Sequence, residues 1–316
     1  MNKKIIFSSF FCFYFAVTAF ASLPQWAKTE KNATYPEDTF VTAVGKGKTL
    51  KDADISAQRR ITEKVNTNIL TSDKNEKSDL SVRFLKYFER PLSYNDAADK
   101  TYYVFAIADK NSVRIDIENE IYLIQRQIMQ KIAILETSVA GITAKINEID
   151  SILALFGRED YFNSLKNLLK AESVTYSQDE SFEREKLGIQ KKELYSKINY
   201  YIGSEEINTP KTQAIFADNG VVLLSKLPPA PVAGKAFVTI NCKTQIIKTE
   251  SQEGYKYDWI TDVSVNDSFD ERISIYSNTS AGSESSPVES AAKEKARLSA
   301  EAEIYDTLEK FIKSTL

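Results

Sequence analysis

The most informative absence in this sequence is histidine, which occurs nowhere among its 316 residues. Histidine is the commonest general base in enzymes and a principal zinc ligand, so its absence excludes a Ser-His-Asp or Cys-His catalytic arrangement. Cysteine is scarce as well, since the chain holds only Cys12 and Cys242. Cys242 alternates with apolar residues, which predicts a small core residue rather than a nucleophile.

The chain also lacks an excess of basic residues. Lys and Arg number 41 against 44 Asp and Glu, which gives a net charge of −3. A protein that binds nucleic acid needs a positive surface, so this balance argues against that class. The hydrophobic residues make up 42% of the chain, which is enough for a folded core and argues against global disorder.

The first 21 residues have the pattern of a secretory signal. Met1-Asn2-Lys3-Lys4 is basic, the run up to Phe20 is mostly apolar, and Ala19-Phe20-Ala21 is a small-x-small cleavage site. We predict cleavage after Ala21, which leaves 316 − 21 = 295 residues, with an uncleaved N-terminal anchor as the alternative. The mature chain then holds Cys242 alone, so no internal disulfide can form.

The stretch from Tyr35 to Ile69 predicts a strand, a tight turn and an amphipathic helix. Phe40 to Val44 is β-branched and aromatic, as strands are, and Gly45-Lys46-Gly47 is a turn signal. Thr49 and Asp52 fit a capping box at the start of a helix. An apolar stripe at three- and four-residue spacing then marks the buried face, formed by Leu50, Ala53, Ala57, Ile61, Val65 and Ile69.

This unit, together with Leu23-Pro24-Gln25-Trp26 and Tyr35-Pro36 before it, resembles the LPP-20 family of bacterial envelope lipoproteins. Thr101 to Asp109 is similar to that family's second core strand, and a long helix follows it. The resemblance covers residues 23–124. It implies an LPP-20-like α+β domain, an envelope location and a binding role, and related domains occur in flagellar-ring assembly proteins. It supplies no catalytic residues.

The chain departs from this family at the lipid-attachment position. Ser22 stands where a lipoprotein carries its modified cysteine, and Cys12 lies inside the apolar run. We therefore expect a periplasmic or secreted protein without a lipid, which leaves association with the outer membrane open.

From Ser112 onward, the period of the pattern becomes that of a long helix. A single exposed helix with such an apolar stripe would be unstable in water, so we predict that Asp160 to Ile202 folds back over it as an antiparallel hairpin. A parallel homodimer is the alternative. The stripe predicts one coiled-coil-like helix of about 40 residues that ends at Gly157. Its members are Ile117, Ile121, Ile124, Ile128, Ile132, Leu135, Val139, Ile142, Ile146, Ile149, Leu153 and Phe156.

The remainder of the chain predicts a second α+β domain. Ala236 to Thr249 and Tyr255 to Val265 alternate between apolar and polar residues, which predicts a β-hairpin. The Ser/Gly-rich segment Ser277 to Pro287 predicts a flexible loop. Val288 to Leu316 has a helical stripe and predicts a final helix.

Two shorter segments are assigned from weaker patterns. Leu80 to Phe88 mixes alternation with aromatic residues and predicts a strand, with a short helix as the alternative. Val221 to Leu224 is a short apolar run, which predicts a buried strand.

Two patterns resemble functional motifs, and both have simpler explanations. Gly47-Lys48-Thr49 precedes a helix, but a phosphate-binding loop needs a glycine five residues before the Gly-Lys pair, where Thr42 stands. Four carboxylates could hold a divalent ion, but they lack the spacing of a calcium loop and are interpreted as a solvated face. They are Asp258, Asp262, Asp267 and Asp270. No catalytic, cofactor-binding or metal-binding residue is therefore predicted.

The predicted fold class is α+β, with a small sheet domain, a helical hairpin arm and a C-terminal domain with a β-hairpin and a long terminal helix. The predicted divisions are a signal peptide at 1–21, an LPP-20-like domain at 22–111, the arm at 112–204 and the C-terminal domain at 205–316. The predicted function is that of a non-enzymatic, exported envelope protein, a scaffold or assembly factor whose arm binds other envelope proteins. The sequence further predicts a protein that needs no cofactor, binds no nucleic acid and has no membrane span after signal cleavage. A homodimer is compatible with this prediction.

Two other functions are consistent with the sequence. One is a carboxylate- or metal-dependent hydrolase of envelope polysaccharides, which would need two carboxylates converging in one cleft. The other is a peripheral binder of peptidoglycan or lipid headgroups that uses Trp26 and the tyrosines.

Overall fold

The computed structural model describes residues 23–68, 71, 73–169, 178–249 and 254–315. The predicted signal at 1–21 lies outside the described residues. The chain divides into two compact units, one formed by residues 1–120 and 162–173 and the other by residues 121–161 and 174–316. The α+β class predicted from the sequence is confirmed. The division into three consecutive domains stays a prediction.

The helices and strands follow one another along the chain without a repeating order. The helices are α1 Gln25–Thr29, α2 Leu50–Asn68, α3 Lys74–Lys86, α4 Lys110–Thr137, α5 Ile142–Leu168, α6 Gln178–Tyr195, α7 Pro210–Asp218 and α8 Glu289–Thr315. The strands are β1 Phe40–Gly47, β2 Phe88–Asp96, β3 Thr101–Asp109, β4 Ile198–Ile202, β5 Leu223–Leu224, β6 Ala236–Thr249, β7 Tyr255–Asp267 and β8 Ser274–Ser286.

The first unit is built on a three-stranded antiparallel sheet in the order β1-β3-β2. The central strand β3 is buried along most of its length, as its apolar sequence predicts. On one face lies α2, which buries four of the six predicted stripe residues: Ala53, Ala57, Ile61 and Val65. Leu50 is instead 41% exposed, and Ile69 lies outside the described residues. Thr49 caps this helix, because its hydroxyl oxygen accepts the backbone N–H of Asp52 at 3.1 Å.

The opposite face of this sheet carries an aromatic cluster. Trp26 meets Phe105 edge-on with ring centroids 5.9 Å apart, and Tyr35 packs against Phe40 at 5.5 Å. Val44 and Phe105, which are cross-strand partners, join the same cluster. Trp26 therefore packs over the first unit.

Two predictions about the first unit are wrong. Gly45 and Gly47 do not form the turn, because β1 continues through Gly47 and neither glycine has a positive φ. Leu80 to Phe88 is not a strand for most of its length, since residues through Lys86 belong to α3. Leu80 and Phe84 are four residues apart and both buried, which is the spacing of a helix face rather than a strand face.

Ahead of its sheet, the second unit contains three helical segments: α4 from residue 121, α5 up to residue 161, and α6. Here α4 and α5 run antiparallel. Lys131 of α4 bonds Glu148 of α5 at 2.7 Å, and Gln125, one to two turns earlier, donates to Glu159 at 2.7 Å. Their apolar stripes face one another, and the buried members are Ile121, Ile124, Ile128, Leu135, Ile146, Ile149, Ile152, Leu155 and Phe156.

The predicted single helix is therefore two helices, and the turn lies at residues 138–141. Gly157 does not end a helix but lies inside α5. The antiparallel partner of α4 begins at Ile142, earlier than the predicted return segment from Asp160 to Ile202. Within that segment α6 also lies beside α4, because Lys186 is 3.5 Å from Glu136 and Leu187 lines one groove with Leu135. Val139 was predicted within the buried stripe and is instead fully exposed in the turn.

A five-stranded sheet in the order β5-β4-β6-β7-β8 forms the rest of the second unit. β6, β7 and β8 are antiparallel, whereas β4 pairs in parallel with both β5 and β6. Helix α8 packs on one face through small residues: Ala292 and Ala296 lie against Trp259 and Tyr257 of β7. The predicted hairpin and terminal helix are thus confirmed, apart from residues 250–253, which lie outside the described part.

Three further sequence predictions fail in this unit. Ser277 to Pro287 is a strand, β8, rather than a flexible loop. The end of the predicted helical segment from Asp160 to Ile202 is a strand, since Ile198–Ile202 forms β4. The strand predicted at Val221 to Leu224 is only the two residues of β5.

Candidate partner-binding surface

Helix α4 of the second unit has a second apolar face, which lies opposite its buried stripe. Four large side chains on this face are exposed: Tyr122 by 63%, Leu123 by 52%, Met129 by 71% and Ile134 by 60%. We call these four residues the outer α4 face. Scattered single apolar residues are normal on protein surfaces, but several on one helix face mark an interaction site.

The spacing of these residues places them in two rows on the side of the helix away from its buried stripe. Tyr122 and Met129 are seven residues apart, which is close to two full turns, and Leu123 and Ile134 are eleven apart, close to three turns. The hairpin covers Ile121, Ile124, Ile128 and Leu135, so that the remaining apolar residues of α4 point to solvent.

Charged residues lie within and beside this surface. Arg126 is exposed between the row of Tyr122 and Met129 and the row of Leu123 and Ile134. Glu136 lies at the end of the helix, where Lys186 of α6 approaches it at 3.5 Å. Exposed apolar rows on the open side of a helix are the kind of surface on which the apolar face of a partner's amphipathic helix packs.

A separate cavity of about 510 Å³ lies in the first unit. Its walls include Phe40, Val65 and Phe84, and two lysines reach its rim. Lys64 donates to the backbone carbonyl of Thr42 at 2.7 Å, and Lys110 donates to that of Glu37 at 2.6 Å. Both ammonium groups are therefore engaged in holding the backbone around β1.

Lys64 also takes part in a small ion network with Glu30. The Lys64 ammonium lies 3.0 Å from the Glu30 carboxylate, and Arg60 lies 2.5 Å from it. Burial by itself would raise the pKa of Glu30, but the hydrogen bond and charge of Lys64, together with Arg60, hold it below its usual value. Glu30 remains ionised and ties α2 to the segment before β1.

The four aspartates of the C-terminal sheet have separate partners rather than a common one. Asp258 accepts hydrogen bonds from Ser283 and Thr249, and Asp262 accepts one from Thr279. Asp267 accepts the hydroxyl of Thr143 and the backbone N–H groups of Phe269 and Asp270, and Asp270 pairs with Arg272. Within the described ranges, no three Asp, Glu, His or Cys side chains are grouped so that they could hold a metal ion.

The other sequence motifs are also accounted for by structure. Lys48 and Thr49 form the turn into α2, as the simpler interpretation predicted. Cys242 is buried in β6, also as predicted. Over the part of the chain that the structure describes, none of the helices combines the length and the apolarity that crossing a bilayer requires.

Sequence reasoning missed the outer α4 face. The buried stripe of α4 is recognisable in the sequence because its residues follow a single helical period. Tyr122, Leu123, Met129 and Ile134 fall between the members of that stripe. The signal was present in the sequence: α4 is apolar on two sides, whereas a helix with one buried face needs only one.

Comparisons with known proteins give no family assignment. No protein-family model and no curated protein sequence matches the chain. Among solved structures, the chain is similar to that of the secreted protein HP1454 from Helicobacter pylori, at 12% sequence identity and a TM-score of 0.34. That alignment covers 86% of this chain and 97% of the other.

Proposed function

We propose that this chain is a non-enzymatic, exported protein of the bacterial cell envelope, a scaffold or assembly factor whose outer α4 face binds an amphipathic helix of another envelope protein. The observation that carries the proposal is the exposure of Tyr122, Leu123, Met129 and Ile134 on one side of a helix whose other side is already covered. An apolar partner face would bury these side chains, at about 25 cal/mol for each Å² of apolar surface removed from water.

Export and an envelope location form part of this proposal. They are supported by the signal pattern of residues 1–21 and by the resemblance of residues 23–124 to the LPP-20 family. The absence of a cysteine at Ser22 favours a periplasmic or secreted location without a lipid. A binding role without catalysis is favoured by the lack of histidine and by the separate partners of the four C-terminal aspartates.

The test uses two leucines of the second unit that are almost equally exposed. Leu123 lies on the outer α4 face and is 52% exposed, and Leu298 lies on α8 and is 51% exposed. Leu123→Lys and Leu298→Lys therefore add the same charge at the same degree of exposure, and neither should disturb folding.

The protein is crosslinked in the envelope of its host, purified, and its crosslinked partners are quantified by mass spectrometry. We expect one envelope partner whose yield falls at least tenfold in Leu123→Lys and is unchanged in Leu298→Lys. The partner residues that crosslink to α4 should lie in a segment of the partner whose apolar residues recur at helical spacing. Equal yields in both variants would refute binding through the outer α4 face.

A further inference from the structure

Strand β8 presents a free backbone edge, and the register of the sheet shows which residues face it. The backbone N–H of Ser268 donates to Phe237 of β6 at 2.8 Å, and that of Asp267 donates to Ile273 on the β8 side at 2.8 Å. Residues of a central antiparallel strand alternate in the neighbour that they bond. Even-numbered residues of β7 therefore bond β6, and odd-numbered ones bond β8.

The same alternation continues into β8. Val265 pairs with Tyr276 and Val263 with Asn278, so the even-numbered residues of β8 bond β7. The odd-numbered residues direct both their N–H and their C=O groups away from β7. These edge residues are Ser277, Thr279, Ala281, Ser283 and Ser285. Within the described part of the chain, β8 pairs with β7 alone.

Apart from Glu284 on the α8 side and a register shift at Val265/Asn266, the edge lacks the features that normally keep strand edges from pairing. Natural edges are kept short or guarded by proline, lysine or an inward charge. β8 is 13 residues long and contains no proline and no lysine. All five edge residues are exposed, small and uncharged, so that no side chain hinders an approaching strand.

The strand is complementary to itself. In an antiparallel pair with a two-fold axis at Ala281, Thr279 faces Ser283 of the second copy and Ser277 faces Ser285 of the second copy. Glu284, the one charged residue of β8, faces Asn278 of the second copy, so that no like charges are opposed. Its carboxylate already accepts the hydroxyl of Ser299 at 2.7 Å, on the α8 side of the sheet.

We propose that β8 pairs with β8 of a second copy of this chain, in antiparallel register about Ala281, and joins two five-stranded sheets into one of ten strands. A second copy is the fitting occupant because the opposite edge of the sheet ends in β5, which has only two residues. One open edge in each copy gives a closed pair rather than a fibre. The edge also offers no charge with which to select a charged peptide.

The first test is the oligomeric state of the full chain by sedimentation. Ala281→Lys places a lysine opposite its own copy and should give a monomer, whereas wild type should show twice the monomer mass. Ile247→Lys is the matched control, because Ile247 is half exposed on the open face of β6, away from the edge, and should stay dimeric. A wild-type monomer, or a dimer that survives Ala281→Lys, would overturn the proposal.

The second test reads the register and does not depend on weakening the pair. Directly opposed residues that exchange hydrogen bonds have Cα atoms about 5.5 Å apart, which suits a disulfide. Ala281→Cys should therefore crosslink two copies on mild oxidation, and Thr279→Cys should not, because it faces Ser283 of the second copy. Crosslinking through Thr279→Cys alone would refute the two-fold axis at Ala281. Loss of the dimer in Leu123→Lys but not in Ala281→Lys would assign the contact to α4 instead.

Discussion

Gly45 lies so close to Ala53 that a β-carbon on the glycine would come within 2.0 Å of the Ala53 carbonyl oxygen. The same atom would also meet the backbone nitrogen of Ala57 at 2.4 Å. The glycine thus allows α2 to lie directly against β1, and the two alanines on the helix side serve the same end. Close approach, rather than an unusual backbone conformation, is the reason for glycine at this position.

We expect Gly45→Ala to destabilise the first unit by about 1–3 kcal/mol, as overpacking a tight core does. The obstructing atoms belong to the backbone of α2, so the helix must move as a whole. The matched control is Gly157→Ala in α5, where a β-carbon meets nothing within 4 Å. That change should be neutral or stabilising by up to about 1 kcal/mol, because alanine is the better helix former. Urea unfolding of each variant measures both changes in stability. An unchanged unfolding midpoint for Gly45→Ala would contradict the close packing of α2 on β1.

The carboxyl group of Asp258 should titrate far below its usual range. The Ser283 hydroxyl, followed by that of Thr249, donates to it and lowers its pKa from 3.8 to about 2. Since the folded-state pKa is the lower one, the stabilisation is present above about pH 4 and is lost as the pH falls towards 2. Carbon-13 NMR of the side-chain carboxyl measures this directly.

The largest contribution to that shift can be removed by one substitution. Ser283→Ala should raise the pKa of Asp258 towards its usual value, while Thr279→Ala, which removes the hydroxyl bonded to Asp262, should leave it unchanged. An Asp258 pKa that does not respond to Ser283→Ala would mean that this hydrogen bond is not formed in solution.

Two substitutions to aspartate should separate the inside of the hairpin from its turn. Ile149 is fully buried between the helices, so Ile149→Asp places a charge without a partner in the core and should cost several kcal/mol. Val139 is fully exposed at the turn, and Val139→Asp should change stability by less than about 0.5 kcal/mol. Thermal unfolding and hydrogen exchange of α4 and α5 measure both effects. A large loss of stability in Val139→Asp would show that Val139 is buried against another part of the chain.

The thiol of Cys242 should be almost unreactive in the folded protein. Burial raises its pKa to about 11, from 9.0 for an ordinary thiol, which reduces the thiolate at pH 8 by roughly a hundredfold. In a Cys12→Ser variant, Cys242 is the single thiol of the chain. A disulfide reagent should label this thiol at least roughly a hundredfold more slowly in the native chain than in the urea-unfolded chain. Equal labelling rates would show that β6 opens readily.

The sequence predicts those elements whose side-chain period is carried by apolar residues. The stripes of α2 and α8 and the alternation in β6 and β7 are clear because each element has one buried face. The capping of α2 by Thr49 is equally local, since it depends on residues three apart.

The errors arise where structure depends on partners that are distant in the sequence. β8 looks like a loop because its exposed face is Ser- and Thr-rich, and it becomes a strand only because β7 supplies the other side of its ladder. The break between α4 and α5 was missed because apolar spacing continues through residues 138–141, where Val139 faces solvent. Gly157 was mistaken for that break, although glycine inside a helix costs only about 1 kcal/mol.

The candidate surface shows the same limit. Its residues are visible in the sequence, but only the pairing of α4 with α5 decides which of the two apolar sides of α4 is covered. Leu123 and Ile124 are neighbours with equal hydrophobicity, and the structure exposes one and buries the other.

The first unit is completed by a segment that lies far along the chain from the rest of it. Phe162 and Leu165 are buried in that unit, and Lys166 bonds Glu118 at 2.9 Å. During synthesis or export from the N-terminus, residues 23–120 emerge well before these partners do. The unit must therefore wait for about 40 intervening residues before its last contacts can form, and the closure of that long loop delays its folding. An N-terminal fragment that stops before residue 162 should stay incompletely folded and depend on chaperones, even though its sheet is already entire.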